Sequence, residues 1–208
     1  MVANAHQRNP KIQESVIIYA CHCSRKQIRD AASDGIYPKT CRLKNLDFEE
    51  KNAAWRIAIP DETTVKFTEF RGGEQSVLLE KTVGDFVVRQ KNGLPAYQLA
   101  SVVDDAHFGI NFVVRGADLR DSTAAQVFLS EQIGLSDFGK NTFFHHDLLM
   151  ETDGSKLSKS RGAASLADWR AAQKSPRPLI QQAAAWLGLP TDISTLDELL
   201  SATKRLFK

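Results

Sequence analysis

Apolar and polar positions alternate through the first half of the chain and take up helical spacing in the second. Ala54-Trp55-Arg56-Ile57-Ala58-Ile59 alternates, Val65 to Phe70 carries β-branched and aromatic residues, and Gly72-Gly73 breaks the run. Gly84-Asp85-Phe86-Val87-Val88-Arg89 alternates again before the turn Lys91-Asn92-Gly93. Strand-period segments separated by glycine-bearing turns predict a small sheet with hairpins. Ahead of it, Ser24 to Ala32 reads as a serine-capped helix ending at the turn Ser33-Asp34-Gly35. Met1 to Asn9 is polar and without period, so order is expected from near Lys11.

Beyond Gly93 the period changes. Ala96 to Gly109 predicts a helical or mixed segment, Asn111 to Arg115 a buried strand, and Asp121-Ser122-Thr123 an N-cap cluster opening an amphipathic helix that reaches Gly134. Strand followed by capped helix is a β-α unit. From Ala163 onward only helical signals remain, broken at Ser175-Pro176, Gly188-Leu189-Pro190 and Ser194, which predicts a short helical bundle. No repeat or low-complexity stretch interrupts this order.

Composition narrows the class. A chain of 208 residues with 42% hydrophobic content is long enough to bury a core. The apolar run Val16 to Ala20 is too short for a membrane span or a signal-peptide core, so a cytoplasmic protein without membrane contact is expected. A net charge of +2 permits nucleic-acid contact without demanding it. The partner class has to come from motifs.

All three cysteines fall between Cys21 and Cys41. Cys21-x-Cys23 and the run Tyr37-Pro38-Lys39-Thr40-Cys41 put three thiols and a phenol on two short arms that bracket a turn. Thiolates from two such arms reach one tetrahedral centre, which suits zinc in a structural role. At this level the fourth ligand is open between Tyr37, His22 and water, and three reduced cysteines packed as small hydrophobes would give the same pattern. Arg115, at the carboxyl end of a strand and just before Gly116, stands where open α/β sheets place ligand-binding groups, and its guanidinium can hold a carboxylate in a bidentate fork. Tyr97 offers a phenol to a substrate amine or carboxylate, or a buried phenol bonded to backbone. Asp104-Asp105 reads as a structural or capping pair rather than a magnesium site. Finally, Asp153-Gly154-Ser155 leads into Lys156-Leu157-Ser158-Lys159-Ser160, where two lysines and the serine hydroxyls on a glycine-led loop suit a triphosphate.

That last run is similar to the Lys-Met-Ser-Lys-Ser signature of class I aminoacyl-tRNA synthetases, with leucine in place of methionine. Cys-x-Cys with Tyr-Pro-x-Thr-Cys-Arg, Ala-Trp-Arg, Gly-Asp-Phe-Val-Val-Arg, Ala-Tyr-Gln-Leu-Ala-x-Val-Val-Asp-Asp, Arg-Gly-Ala-Asp-Leu-x-x-Ser-Thr and Lys-Leu-Ser-Lys-Ser occur in the order they take in the glutamyl-Q tRNA(Asp) synthetases, shortened relatives of glutamyl-tRNA synthetase. The resemblance runs from about Tyr19 to about Pro190. It implies an α/β fold: the second half of a class I Rossmann-type catalytic domain with a zinc-bearing insertion and a short helical tail, divided as 1–82, 83–165 and 166–208. It implies that Cys21, Cys23, Tyr37 and Cys41 hold zinc and that Tyr97 and Arg115 contact glutamate. Lys156, Leu157, Ser158, Lys159 and Ser160 would bind ATP, with Lys156 and Lys159 as the catalytic lysines and magnesium accompanying the nucleotide. The implied reaction is ATP-dependent activation of glutamate and its transfer to the queuosine of tRNA(Asp).

The resemblance also leaves something out. The family opens with a Rossmann half carrying a His-x-Gly-x type signature, an Arg/Ser pair and an acidic residue for the substrate amine, and no stretch here matches it. His107-Phe108-Gly109-Ile110 sits too late and reads as an ordinary helix end. Half a sheet would expose an edge and an apolar face, so a separate chain supplying the other half is one expectation. A non-catalytic tRNA-binding or interaction module is the alternative function.

Overall fold

The computed structural model describes residues 18–32, 34–148, 150 and 165–206. Two compact units divide the chain after His145. The first is built on two small sheets. One has the order β1-β2-β5, from β1 (Ile18–Cys21), β2 (Ala54–Ile57) and β5 (Phe86–Arg89), with both pairings antiparallel. The other has the order β4-β3-β7-β6, from β3 (Thr64–Glu69), β4 (Gly73–Leu78), β6 (Phe112–Gly116) and β7 (Thr142–His146). The hairpin predicted around Gly72-Gly73 is present as the β3-β4 pair, and β3 runs parallel to β7. Strands from either side of residue 82 therefore share both sheets.

Helix α1 (Arg25–Ala31) begins where the serine cap predicts: the Ser24 side chain accepts from Gln27 N and the Gln27 side chain accepts from Ser24 N, a reciprocal capping box. A short helix, α2 (Leu79–Thr82), follows β4, and α3 (Tyr97–His107) fills the segment left open between helical and mixed. The helix α4 (Arg120–Gln132) differs from expectation at its start. A 3-10 turn over Ala117–Leu119 precedes it, Leu119 is its N-cap, and Ser122 and Thr123 lie inside the helix. Their hydroxyls are engaged elsewhere: Thr123 donates to the Leu119 carbonyl and Ser122 accepts from Gln98. All residues from Thr123 to Ser130 are buried, so α4 is a central helix, packed against α3 and β3.

The core gathers Ile57, Ile59, Phe67, Leu79, Val102, Val127, Leu129 and Phe143 from both sheets, the segment after β2 and helices α2, α3 and α4. The edge of the second sheet is less covered. The expected buried strand is instead an edge strand, half exposed, in which Arg115 alone is buried and Val114 is 58% exposed. Tyr97, Val103 and Phe108 on and after α3 are exposed as well. An edge strand has a neighbour on one side only, which is why an apolar sequence does not guarantee burial here. The second unit holds α5 (Leu166–Ala171), α6 (Arg177–Trp186) and α7 (Leu196–Leu206), with Ser165 forming a capping box on Asp168. These are the helices the tail predicts.

Asp85 ties the first unit together. Gly84 precedes it at φ +60, and a Cβ there would come within 2.5 Å of Ile36 Cγ2, so glycine is required for the chain to turn into Asp85. The carboxylate is 1% exposed and accepts from the Tyr19 hydroxyl at 2.7 Å and the Ile59 N–H at 2.8 Å, with Arg42 Nη1 at 3.7 Å. Burial and that bond to Asp85 push the Tyr19 phenol well above its ordinary range. Removing the carboxylate strands two buried donors and a half-buried arginine. Asp85→Ala is expected to lower the unfolding free energy by about 3 kcal/mol, read as a lower urea midpoint with unchanged slope; a loss below about 1 kcal/mol would mean that the junction does not carry the unit.

Candidate functional site

Two constellations of chemically able side chains stand out, one at β1 and one at β6. At the first, β1 delivers Cys21 and the chain leaves the sheet through Cys23 into the capped start of α1, which fixes the first arm. The second arm curls because Lys39 adopts φ 55 and the Cys41 N–H donates to the Tyr37 hydroxyl at 2.9 Å. A single left-handed residue thus brings Cys41 back over the phenol.

The three sulfurs all lie within 4.8 Å of one another, the one such group of metal-type ligands among the described residues. Cys23 Sγ is 3.6 Å from Cys41 Sγ, and the Tyr37 hydroxyl is 3.3 Å from Cys21 Sγ and 3.7 Å from Cys23 Sγ. A tetrahedral ion with sulfur at about 2.3 Å and oxygen at about 2.0 Å spaces its ligand atoms by roughly 3.5 to 3.8 Å. The three spacings of 3.3, 3.6 and 3.7 Å lie within a few tenths of an ångström of that shell. Of the alternatives for the fourth position, the phenol oxygen faces the sulfurs, whereas His22 Nε2 lies 3.0 Å from the Glu50 carboxylate. The electrostatics differ from one ligand atom to the next. Burial pushes the Cys41 thiol up, but bonds from Tyr37, the His22 backbone and the other two cysteines outweigh it and draw it down to about 7. Burial raises Cys23, and burial together with the three sulfurs raises Tyr37. A shallow cleft lined by Cys23, Gln27, Ile28, Thr40 and Lys44 opens beside the cluster.

At the second constellation, Arg115 Nη1 donates to Gln126 Oε1 at 2.7 Å and to Thr123 Oγ1 at 3.2 Å, with its guanidinium 5.6 Å from the Phe143 ring centre. Thr123 Oγ1 is 2.9 Å from His145 Nε2, and Glu69 accepts from both the backbone N–H and Nδ1 of His145, at 2.9 and 2.5 Å. A buried polar chain from β3 through β7 and α4 therefore fixes the direction of the arginine. Burial holds the Arg115 guanidinium below its ordinary value, against the opposing charges of Tyr97 and Asp105, and burial pushes the Asp105 carboxyl up despite Arg115. Nε and Nη2 of Arg115 have no hydrogen-bond partner among the described residues, so the fork keeps donors for a carboxylate. Tyr97 is half exposed at the first turn of α3. The tight turn before α3, where Gly93 takes φ +85 and Asn92 Oδ1 accepts from Leu94 N, leads the chain back through the Arg89–Pro95 bridge to place Tyr97 there.

The structure thus groups Cys21, Cys23, Tyr37 and Cys41, and carries Tyr97 at the start of α3 and Arg115 on β6. Lys156, Leu157, Ser158, Lys159 and Ser160 lie outside the described residues. Asp104-Asp105 belongs to no metal-type cluster among the described residues. Sequence reasoning missed Arg56, Glu69, Thr123, Gln126 and His145 as supporting residues. A charged residue inside an alternating strand, as at Arg56, and a charged strand end, as at Glu69, were the available signals.

The chain is similar to known proteins in sequence and in fold. Residues 14–204 match the family model of the class I tRNA synthetases (E and Q), catalytic domain. A glutamyl-Q tRNA(Asp) synthetase of Pseudomonas putida is 41% identical over 187 residues, 90% of this chain and 57% of that protein. One from Burkholderia cenocepacia is 40% identical over 186 residues, 85% and 59% respectively. The chain spans about three-fifths of the length of such relatives. Among solved structures, a glutamate tRNA ligase from Elizabethkingia meningosepticum in complex with its amino acid aligns with a TM-score of 0.55 at 24% identity, covering 74% of this chain and 34% of that one, a likeness of fold. With the family model matching almost end to end and the motifs in order, the chain belongs to the catalytic-domain family of class I tRNA synthetases of the E and Q type.

Proposed function

We propose that this chain supplies the zinc-bearing and carboxylate-binding part of a glutamyl-Q tRNA(Asp) synthetase, which activates glutamate with ATP and transfers it to the queuosine of tRNA(Asp) in the cytoplasm. The observation that carries the reading is Arg115: a buried guanidinium, aimed by Gln126 and Thr123, with two donor nitrogens left over. In activation, the glutamate carboxylate attacks the α-phosphorus of ATP and pyrophosphate leaves. The protein's share is positioning and charge neutralisation. Arg115 and Tyr97 orient the amino acid. Lys156 and Lys159, with Leu157, Ser158 and Ser160, bind the nucleotide and neutralise its phosphates alongside magnesium.

Cys21, Cys23, Cys41 and the Tyr37 oxygen hold a structural zinc, which ties the two arms together and stabilises the surface offered to tRNA. The metal supplies cross-linking rather than reactivity, because all four positions are filled by protein atoms. The open edge at β6 receives a further strand, either from a segment of a longer polypeptide or from a separate chain carrying the other Rossmann half. That same exposed edge, with Val114 and Phe108 in solvent, favours a second reading in which the polypeptide binds tRNA or a protein without catalysing.

Glutamate-dependent ATP–pyrophosphate exchange, measured with bulk tRNA on the chain mixed with the first Rossmann half of a glutamyl-Q tRNA(Asp) synthetase, separates the two readings. Exchange in the mixture is expected for the first and binding of tRNA without exchange for the second. Where exchange is seen, Arg115→Lys should raise the KM for glutamate at least tenfold with little change in that for ATP, since an ammonium cannot reproduce the fork; equal effects on both substrates would remove Arg115 from the amino-acid site. Cys41→Ser should release the zinc and lower the melting temperature. Unchanged metal content would set the zinc aside.

A further inference from the structure

Arg56 is a cation without an ordinary counter-ion. It sits in the middle of β2, 7% exposed, and no carboxylate pairs with it among the described residues. Its Nη1 donates to the Asp85 backbone oxygen at 2.8 Å, not to the Asp85 carboxylate, which is already engaged by Tyr19 and the Ile59 N–H. The remaining contacts all point to the sulfur cluster. Nε donates to Cys21 Sγ at 3.4 Å, and the guanidinium carbon lies 3.8 Å from the centre of the Tyr37 ring.

A buried charge is costly unless it is paired or its site holds an ion. Against neutral thiols and a neutral phenol, Arg56 has only a weak sulfur acceptor and a ring quadrupole on that side. Three thiolates and a phenolate around a divalent ion change this. They leave the centre with an excess of two negative charges, and a guanidinium touching one sulfur and one ring offsets half of it. Beside a positive centre the guanidinium would be repelled and beside a neutral one its charge would be little compensated, so its position fits an anionic ligand shell. Residues that hydrogen-bond to metal ligands both fix their direction and tune the centre.

Resting on the zinc reading above, we propose that Arg56 is the positioning and charge-compensating residue of the Cys21–Cys23–Tyr37–Cys41 centre, setting its affinity for a divalent thiophilic ion and holding Tyr37 as the fourth ligand. Cys21 and Tyr37, one from each arm, are the two ligands it touches. The guanidinium is therefore the element that keeps the arms in register before the ion arrives. Its delocalised guanidinium over the Tyr37 ring also makes lysine an incomplete substitute.

The test is zinc competition against a chromophoric chelator, using the whole chain and its Arg56→Gln and Arg56→Lys variants. Arg56→Gln is expected to bind zinc about 10- to 100-fold more weakly, and Arg56→Lys to recover part of the loss through its charge. A second measurement needs no variant. In the 15N-arginine-labelled chain, the Arg56 Nε–H proton resonance should move downfield on zinc addition, because its acceptor changes from thiol to metal-bound thiolate. A folded Arg56→Gln variant with wild-type zinc affinity, or an Nε–H resonance that stays in place while zinc binds, overturns the proposal and leaves the zinc reading standing. A wild-type chain that takes up no zinc overturns both.

Discussion

The first unit depends on a buried junction of opposite charges that are not paired with each other. The Asp85 carboxylate bonds β1 through Tyr19 and the end of β2 through the Ile59 N–H, while Arg56 from β2 bonds the Asp85 backbone and turns its face to the sulfur cluster. One residue at the start of β5 thus fixes β1, β2 and the arms that carry Cys21, Tyr37 and Cys41. Groups buried this deeply cost several kcal/mol if left unsatisfied, so the segments they join are held in one arrangement. The sulfur cluster is built on that frame.

The second constellation follows the same logic with different parts. Glu69 grips His145 at two points, His145 meets Thr123, and Thr123 with Gln126 aims Arg115. The elements involved, β3, β7, α4 and β6, are not neighbours in sequence. A strand end presents a side chain, and the central helix behind it supplies the polar partners that keep a guanidinium both buried and directed. Precision at a ligand-binding group comes from such supporting bonds rather than from the group itself.

Much of this was legible in the chain. The serine cap at Ser24, the glycine break at Gly72-Gly73, the strands around Trp55 and Val88 and the tail helices follow local rules of capping and period. The grouping of the cysteines followed from spacing. What was not legible depends on tertiary context. Asp121-Ser122-Thr123 has the chemistry of an N-cap, yet Thr123 is drawn inside α4, where it back-bonds to Leu119 and meets Arg115. The strand at Asn111 to Arg115 is apolar enough for a sheet centre but lies at an edge, because period and composition do not say which strand is last. Spacing leaves the fourth position open among Tyr37, His22 and water, with His22 disfavoured because it is squeezed between two cysteines. The left-handed turn at Lys39 and the partner at Glu50 distinguish them.

The claim on which the account rests most heavily is that the four atoms of this cluster form one complete metal shell. X-ray absorption at the zinc edge of the metal-loaded chain addresses it directly. The account predicts three sulfur neighbours at about 2.3 Å and one oxygen at about 2.0 Å, with the oxygen lost or replaced in Tyr37→Phe. A first shell dominated by nitrogen and oxygen, or one in which Tyr37→Phe changes nothing, would contradict it.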